Sequence, residues 1–163
     1  MWDRRPLTEA RILIVDDRET DTRLLGRILR RGGYTNITTL MDSREFSSTF
    51  LDLQPDLILL DLTMPHLDGL AILRLLRSHL PEGTYLPVLV LTAEDTTEAM
   101  WESFSHGAKD FVTKPYNWAE VLLRVKNLLE TRDLYLQLVD KNPIREREAA
   151  SSGDDGRAAS PLT

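Results

Sequence analysis

The chain has no cysteine, no surplus of basic charge and no apolar run long enough to cross a bilayer. The first absence excludes disulfides and thiolate chemistry, and it is compatible with a reducing cytosol. The second is seen in a net charge of -6 and a pI near 5.1. No basic field is available for nonspecific binding to nucleic acid or to an anionic membrane. The third sets the chain apart from proteins that span a membrane with roughly 20 consecutive apolar residues. Arg4 and Arg5 have no apolar stretch behind them, so no signal peptide is expected. These absences predict a soluble, cytoplasmic protein without a nucleic-acid or membrane partner.

What is present is an ordinary globular composition. With 163 residues, 42% of them hydrophobic, the chain is long enough for one domain with a sizeable core and a tail left over. Short β-type runs at 11–15, 36–40, 57–61, 87–92 and 110–113 alternate with helix-period segments. Leu24, Leu25, Ile28 and Leu29 share one helical face, as do Phe46 and Phe50, then Leu70, Leu73 and Leu76, then Trp101, Phe104 and Ala108. Gly32-Gly33 ends the first helix and Pro81-Glu82-Gly83 the third. Continuous apolar strands between helices predict a parallel sheet covered on both faces.

The last helix opens with Asn117 as N-cap and Glu120 three residues on, a capping-box arrangement. It runs without glycine or proline to about Asn142-Pro143. Val121, Leu122, Val125 and Leu129 are expected on the sheet. Leu134, Tyr135, Leu136, Leu138 and Val139 continue the apolar pattern. Two readings of that second half stand: an extension folded back on the domain, or a projecting helix that pairs with a partner helix. Leu122, Val125, Leu129, Leu136 and Val139 fit alternate heptad positions, with Arg132 interrupting the seam. Beyond Pro143 the Arg/Glu and then Ala/Ser/Gly/Asp composition cannot bury enough apolar surface to order itself. The expected division is an N-terminal extension at 1–9, a domain at 10–130, a helix extension at 131–142 and a disordered tail or linker at 143–163.

The chemistry-bearing residues stand at strand ends. Ile12-Leu13-Ile14-Val15 leads into Asp16-Asp17, Leu57-Ile58-Leu59-Leu60 into Asp61, Val88-Leu89-Val90-Leu91 into Thr92, and Phe111-Val112-Thr113 into Lys114-Pro115. Open α/β sheets bind ligands beyond the carboxyl ends of their strands. Asp16, Asp17 and Asp61 are hard oxygen ligands suited to Mg2+. Taken singly, each residue has a plainer role: Asp16-Asp17 as a helix cap, Thr92 as a strand-end hydroxyl, Lys114 as a surface lysine, Lys114-Pro115 as a turn. Convergence on one sheet edge favours a site.

The order Asp16-Asp17, then Asp61-Leu62-Thr63-Met64-Pro65 with His66-Leu67-Asp68-Gly69 behind it, then Thr92-Ala93, then Lys114-Pro115, resembles the receiver domain of two-component response regulators. Gly107-Ala108-Lys109-Asp110-Phe111 adds to the match, which spans roughly residues 10 to 130. The resemblance implies a flavodoxin-like (βα)5 doubly wound parallel sheet of five strands. It further implies that Asp61 accepts a phosphoryl group from a phosphohistidine of a sensor histidine kinase or phosphotransfer protein. Asp16, Asp17, Asp61 and the backbone carbonyl of Thr63 would hold Mg2+. Thr92, Ala93 and Lys114 would contact the phosphoryl oxygens, Phe111 would be the switch aromatic, and Pro115 would follow a cis peptide. Thr63 and Glu94 occupy the positions that tune phosphoryl lifetime in such domains.

A charge event at Asp61 would draw the Thr92 hydroxyl inwards and let Phe111 turn, repacking the face built by the fourth helix, fifth strand and fifth helix. Met100 and the end of the fifth helix are the expected readout surface, for a partner or for homodimerisation. A stand-alone receiver is preferred to one separated from a catalytic output module such as cyclic-dinucleotide turnover. A Mg2+-dependent phosphohydrolase would want an acid two residues beyond the nucleophile, where this chain has Thr63. A flavin carrier would want a phosphate-cradling loop after the first strand, where it has Asp16-Asp17-Arg18-Glu19.

Overall fold

Apolar strands alternate in sequence with helices, and each strand residue must send its side chain to one face or the other. In the computed structural model, which describes residues 5–141, this yields five strands: β1 (Ile12–Val15), β2 (Ile37–Leu40), β3 (Leu57–Leu60), β4 (Val88–Thr92) and β5 (Asp110–Thr113). The helices between and after them are α1 (Glu19–Arg31), α2 (Phe46–Leu53), α3 (Gly69–His79), α4 (Thr97–Ser105) and α5 (Trp118–Asp140). All pairings are parallel, in the order β2-β1-β3-β4-β5. Every residue of β1, β3 and β4 is buried, which explains why their sequences are continuously apolar rather than alternating.

Alternate residues build two cores. Ile12, Ile14, Leu57 and Leu59 face the helices α1 and α5, with Leu29 and Val125 among their neighbours. Leu13, Val15, Ile58 and Leu60 face α2, α3 and α4, with Phe46, Leu73 and Ala99. Burying one such side chain is worth about 1.5–3 kcal/mol, so two dry layers fix the sheet against slippage. Leu7 packs on the first core and Thr8 O accepts from Thr35 N at 3.2 Å, so the fold begins ahead of the boundary expected at residue 10.

The helix ends follow local chemistry. Gly33 (φ 90) and Gly83 (φ 80) take left-handed backbone after α1 and α3. Asn117 caps α5 through Ala119 N at 2.8 Å, while Glu120 turns to Arg124 at 3.5 Å instead of back towards the cap. Two expected faces differ. Leu24 is exposed, and α1 buries Thr22, Leu25, Gly26, Ile28 and Leu29. In α4 the buried residues are Ala99 and Ser103, whose hydroxyl donates to Ala99 O at 2.7 Å. Trp101 (73% exposed) and Phe104 lie outside, and Ala108 is buried only after the helix has ended. Small residues let α4 sit close, so large ones are displaced to its outer side.

At the sheet edge opposite the strand-end acids, Asp56 accepts from Arg11 N at 2.8 Å and pairs with Arg11 and Arg132 at 3.3 and 3.2 Å. Arg132 and the buried Leu122, Val125 and Leu129 positions of the heptad seam are thus engaged within the domain, Leu122 partly. The chain divides into two units between Arg132 and Asp133. In the second, Gln137 donates to Asp133 at 2.8 Å, and Leu134, Leu136, Leu138 and Val139 are exposed. The tail expected at 143–163 lies outside the described residues.

Candidate functional site

Because β1 and β3 are neighbours while β2 and β4 lie on opposite sides of them, the chain reverses its winding direction between Asp16 and Asp61. That switch point is where the crevice of a doubly wound sheet opens. Asp16 is held by its own N–H to Leu40 O (3.1 Å), and its Oδ1 accepts from Arg18 N at 3.0 Å. Asp61 N donates to Val15 O at 2.9 Å, and its Oδ1 accepts from Thr63 N at 3.2 Å. Both side chains are almost fully buried, at 2% and 5% exposure. Asp16 does not cap α1, whose N-cap is Arg18 and has no side-chain capping bond. Its Oδ1 instead closes a turn on the Arg18 N–H ahead of the helix, leaving Oδ2 to the pocket.

Asp16, Asp17 and Asp61 each place a carboxylate oxygen within 4.8 Å of the others. Asp17 Oδ1 is buried and has no hydrogen-bond partner among the described residues. An orphaned buried carboxylate oxygen beside two more carboxylates is costly in a folded protein. The donor set fits a hard divalent cation, which would fill that vacancy in the hydrogen-bonding.

Lys114 supplies the opposite charge. Its Nζ lies 2.8 Å from Asp16 Oδ2, 2.9 Å from Asp21 Oδ2 and 3.3 Å from Asp61 Oδ2. Burial alone disfavours the ammonium, but the hydrogen bonds to Asp16 and Asp21 and the charges of Asp16 and Asp61 reverse this and hold its pKa above the usual lysine value. Burial pushes Asp16 above the ordinary carboxylate range despite Lys114 and the Arg18 amide. Tyr116 is raised, first by burial, and its hydroxyl is buried without a hydrogen-bond partner among the described residues. The Lys114–Pro115 peptide is cis.

The remaining sequence candidates lie in or just beyond the ends of β3, β4 and β5. Thr92 is fully buried, its Oγ1 accepting from Glu94 N at 3.3 Å, and its carbonyl accepts from Lys114 N at 2.8 Å. Ala93, Glu94 and Thr63 are exposed. Phe111 is buried in the core that faces α2, α3 and α4. Three contributors were not foreseen. Asp21, in the first turn of α1, holds Lys114. Ser43 Oγ donates to Pro65 O at 3.0 Å and accepts from Leu67 N at 3.1 Å, pinning the loop after Asp61 on either side of His66, whose φ is 70. Gly69 N donates to Leu62 O at 2.9 Å, bringing α3 against the backbone of Asp61. Asp21 has a sequence signal, an acid one turn after the Asp16-Asp17 pair. Ser43 has none.

Fold and pocket together define a doubly wound α/β domain with an acidic, lysine-bridged pocket at its switch point. Residues 12–126 match the family described as the response regulator receiver domain, and the chain belongs to that family. It is 38% identical over 127 residues to the probable transcriptional regulatory protein TcrX of Mycobacterium tuberculosis, covering 78% of this chain and 51% of that protein. To the response regulator PleD of Caulobacter vibrioides it is 36% identical over 141 residues, covering 86% of this chain and 29% of that one. Among solved structures, the chemotaxis protein CheY4 of Vibrio cholerae superposes with a TM-score of 0.67 at 27% identity, covering 74% of this chain and 98% of that one. A probable two-component system response regulator/GGDEF domain protein gives 0.70 at 25% identity, covering 77% and 51%. The chain is a receiver domain of a two-component response regulator with the flavodoxin-like fold. It spans about half the length (51%) of TcrX.

Proposed function

We propose that Asp61 is the phosphoryl acceptor of this receiver, taking the group from a phosphohistidine of a sensor histidine kinase or phosphotransfer protein. The observation that supports this most directly is the buried Asp61 carboxylate, 3.3 Å from Lys114 Nζ and grouped with Asp16 and Asp17. A carboxylate oxygen of Asp61 attacks phosphorus, the phosphorus–nitrogen bond breaks, and its electron pair leaves on the imidazole nitrogen. Asp16, Asp17, Asp61 and the Thr63 carbonyl are the residues that would hold Mg2+. When bound, the ion supplies neutralisation of phosphoryl-oxygen charge. Lys114 would neutralise a further oxygen, and Thr92 and the Ala93 amide would contact the others. Thr63 and Glu94 tune the lifetime of the adduct. The protein acts in signalling, in the cytoplasm, and not as an enzyme on a diffusible substrate.

Incubation with a small acyl phosphate and Mg2+ is expected to add one acid-stable, base-labile phosphoryl group, and Asp61→Asn is expected to abolish it. Mass spectrometry reads both. Turnover of general phosphomonoesters would overturn the reading.

The output face is proposed to be α4-β5-α5. Thr92 and Phe111 lie on neighbouring strands, where Thr92 pairs with Thr113 and Val90 with Phe111, so a shift of the hydroxyl is transmitted locally. Met100, Trp101 and Phe104 are already exposed on α4. Phosphorylation is expected to move amide resonances on this face while leaving those of β2 and α2 in place. Unchanged α4-β5-α5 shifts would sink the switch.

A second reading is favoured by the relatives' lengths: the receiver regulates an output domain, as the names of the GGDEF-containing neighbour and of the transcriptional regulator TcrX suggest for those proteins. Homodimerisation through α4-β5-α5 or the end of α5 fits either reading. Sedimentation with and without a phosphoryl mimic tests it.

A further inference from the structure

Lys114 is bound by three carboxylates, of which only two belong to the trio suited to a divalent cation. The third, Asp21, stands in the first turn of α1 with its Oδ2 2.9 Å from Nζ. An ammonium has three N–H donors and no acceptor, so Asp16, Asp21 and Asp61 use the whole donor set. The side chains of Lys114 and Asp21 are only 12% and 21% exposed, which sets this pair apart from the weak ion pairs of a solvated surface.

We propose that Asp21 is a positioning residue, whose carboxylate keeps the Lys114 ammonium aimed across the pocket when Asp16 and Asp61 give their oxygens to other partners. This rests on the reading of Asp61 as phosphoryl acceptor. Phosphoryl transfer depends chiefly on positioning and on neutralising oxygen charge, and a lysine carries its charge on a flexible four-carbon stem. Asp16 and Asp61 cannot be the permanent anchors of that stem, because they are the residues whose oxygens the chemistry requires. Asp21 is free of that demand and is itself fixed. Its N–H donates to Arg18 O at 3.1 Å, Arg18 Nε lies 3.7 Å from its Oδ2, and the helix carrying it is seated on the sheet through Leu25, Ile28 and Leu29.

A carboxylate that merely added negative charge to the pocket would have the opposite effect on rate. Deleting it would make the pocket less repulsive to an anionic donor and speed labelling. Deleting an anchor of Lys114 slows it. The sign of the change therefore separates the two roles.

The experiment uses the full chain with a small acyl phosphate and Mg2+, following the adduct on Asp61 over time. Asp21→Ala is expected to slow labelling about tenfold at saturating Mg2+, short of the ~100-fold that misplacement by ~1 Å can bring. Asp21→Asn keeps an acceptor oxygen and is expected to recover most of the rate. In a Lys114→Ala background, removing Asp21 is expected to have no further effect, as for two residues acting through one contact. Independently of labelling, the 15N resonance of the Lys114 ammonium is expected to exchange slowly in the unaltered chain and in Asp21→Asn, and to be lost in Asp21→Ala. Equal or faster labelling by Asp21→Ala, a loss recovered by added Mg2+, or an undiminished loss without Lys114 would each overturn the proposal. If the unaltered chain takes no label at Asp61, the acceptor reading fails, and the ammonium resonances still decide whether Asp21 holds Lys114.

Discussion

Replacing Asp17 by asparagine is expected to stabilise the chain in metal-free buffer and to remove most of the stabilisation that Mg2+ confers on the unaltered protein. Four carboxylates, Asp16, Asp17, Asp21 and Asp61, are grouped around one ammonium, and Lys114 contacts all of them except Asp17. Asp17 thus adds repulsion without a compensating cation. At 4.8 Å, the limit within which these oxygens lie, a carboxylate pair costs about 3.5 kcal/mol with an effective dielectric constant near 20. Solvent reaches this side of the pocket and screens much of that, leaving an expected gain of about 1–2 kcal/mol. The asparagine amide also brings a donor to where Asp17 Oδ1 is buried and unpartnered. In the unaltered chain a bound cation relieves the same repulsion, and a ligand at ~100 times its dissociation constant stabilises by about 2.7 kcal/mol. Thermal unfolding with and without Mg2+ checks both halves. A lower midpoint for Asp17→Asn without metal, or an unchanged Mg2+ response, would contradict the account of the pocket.

The second large effect is expected at Gly69→Ala. An alanine in a helix ordinarily gains about 0.4–1 kcal/mol over glycine through the unfolded state. Here a Cβ would meet the carbonyl oxygen of Asp61 and come within 2.7 Å of Leu62 Cα, and both are backbone atoms with no rotamer to escape into. Either α3 or the end of β3 must move. Overpacking of this kind costs roughly 1–3 kcal/mol, so the steric term outweighs the helix term. The expected result is net destabilisation in urea unfolding. A much larger effect is expected on labelling, because the displaced backbone carries Asp61, the proposed acceptor, and ~1 Å of misplacement can cost ~100-fold. Gly69→Ala with an unchanged labelling rate would show that α3 yields and Asp61 does not.

The three central strands β1, β3 and β4 were legible because each is a short apolar run buried on both faces. The strands at the sheet edges, β2 and β5, carry polar and partly exposed residues and were legible from their spacing between helices. The expected runs at 57–61 and 87–92 differ from β3 and β4 by one residue at an end. The helical faces were less so. Periodicity assigned Trp101 and Phe104 to the core by size, whereas α4 is seated by Ala99 and Ser103, and no hydropathy pattern marks a serine as the inward residue. The grouping of Asp16, Asp17, Asp61 and Lys114 followed from strand-end placement, since a parallel sheet brings successive strand ends to one edge. Asp21 escaped notice because an acid in the first turn of a helix is ordinary helix chemistry. Gly69 was read as part of the motif behind Asp61, but its packing role was not, because a close backbone approach leaves no trace in sequence other than the glycine itself. The Asp56 cluster with Arg11 and Arg132 unites positions too distant for any local pattern.

The ammonium of Lys114 comes from a position 98 residues after Asp16 and 53 after Asp61. The sheet order puts β5 at one edge, reached only through β4. A nascent or clipped chain that has docked β1 and β3 already owns Asp61 and its acidic neighbours, yet it lacks Lys114 and the counter-charge that residue brings. Charge balance at the pocket arrives with β5, the last in chain order of the five strands described. The pocket is thus assembled only when β1, β3 and β5 are all in place, so its charge balance reports on the whole sheet.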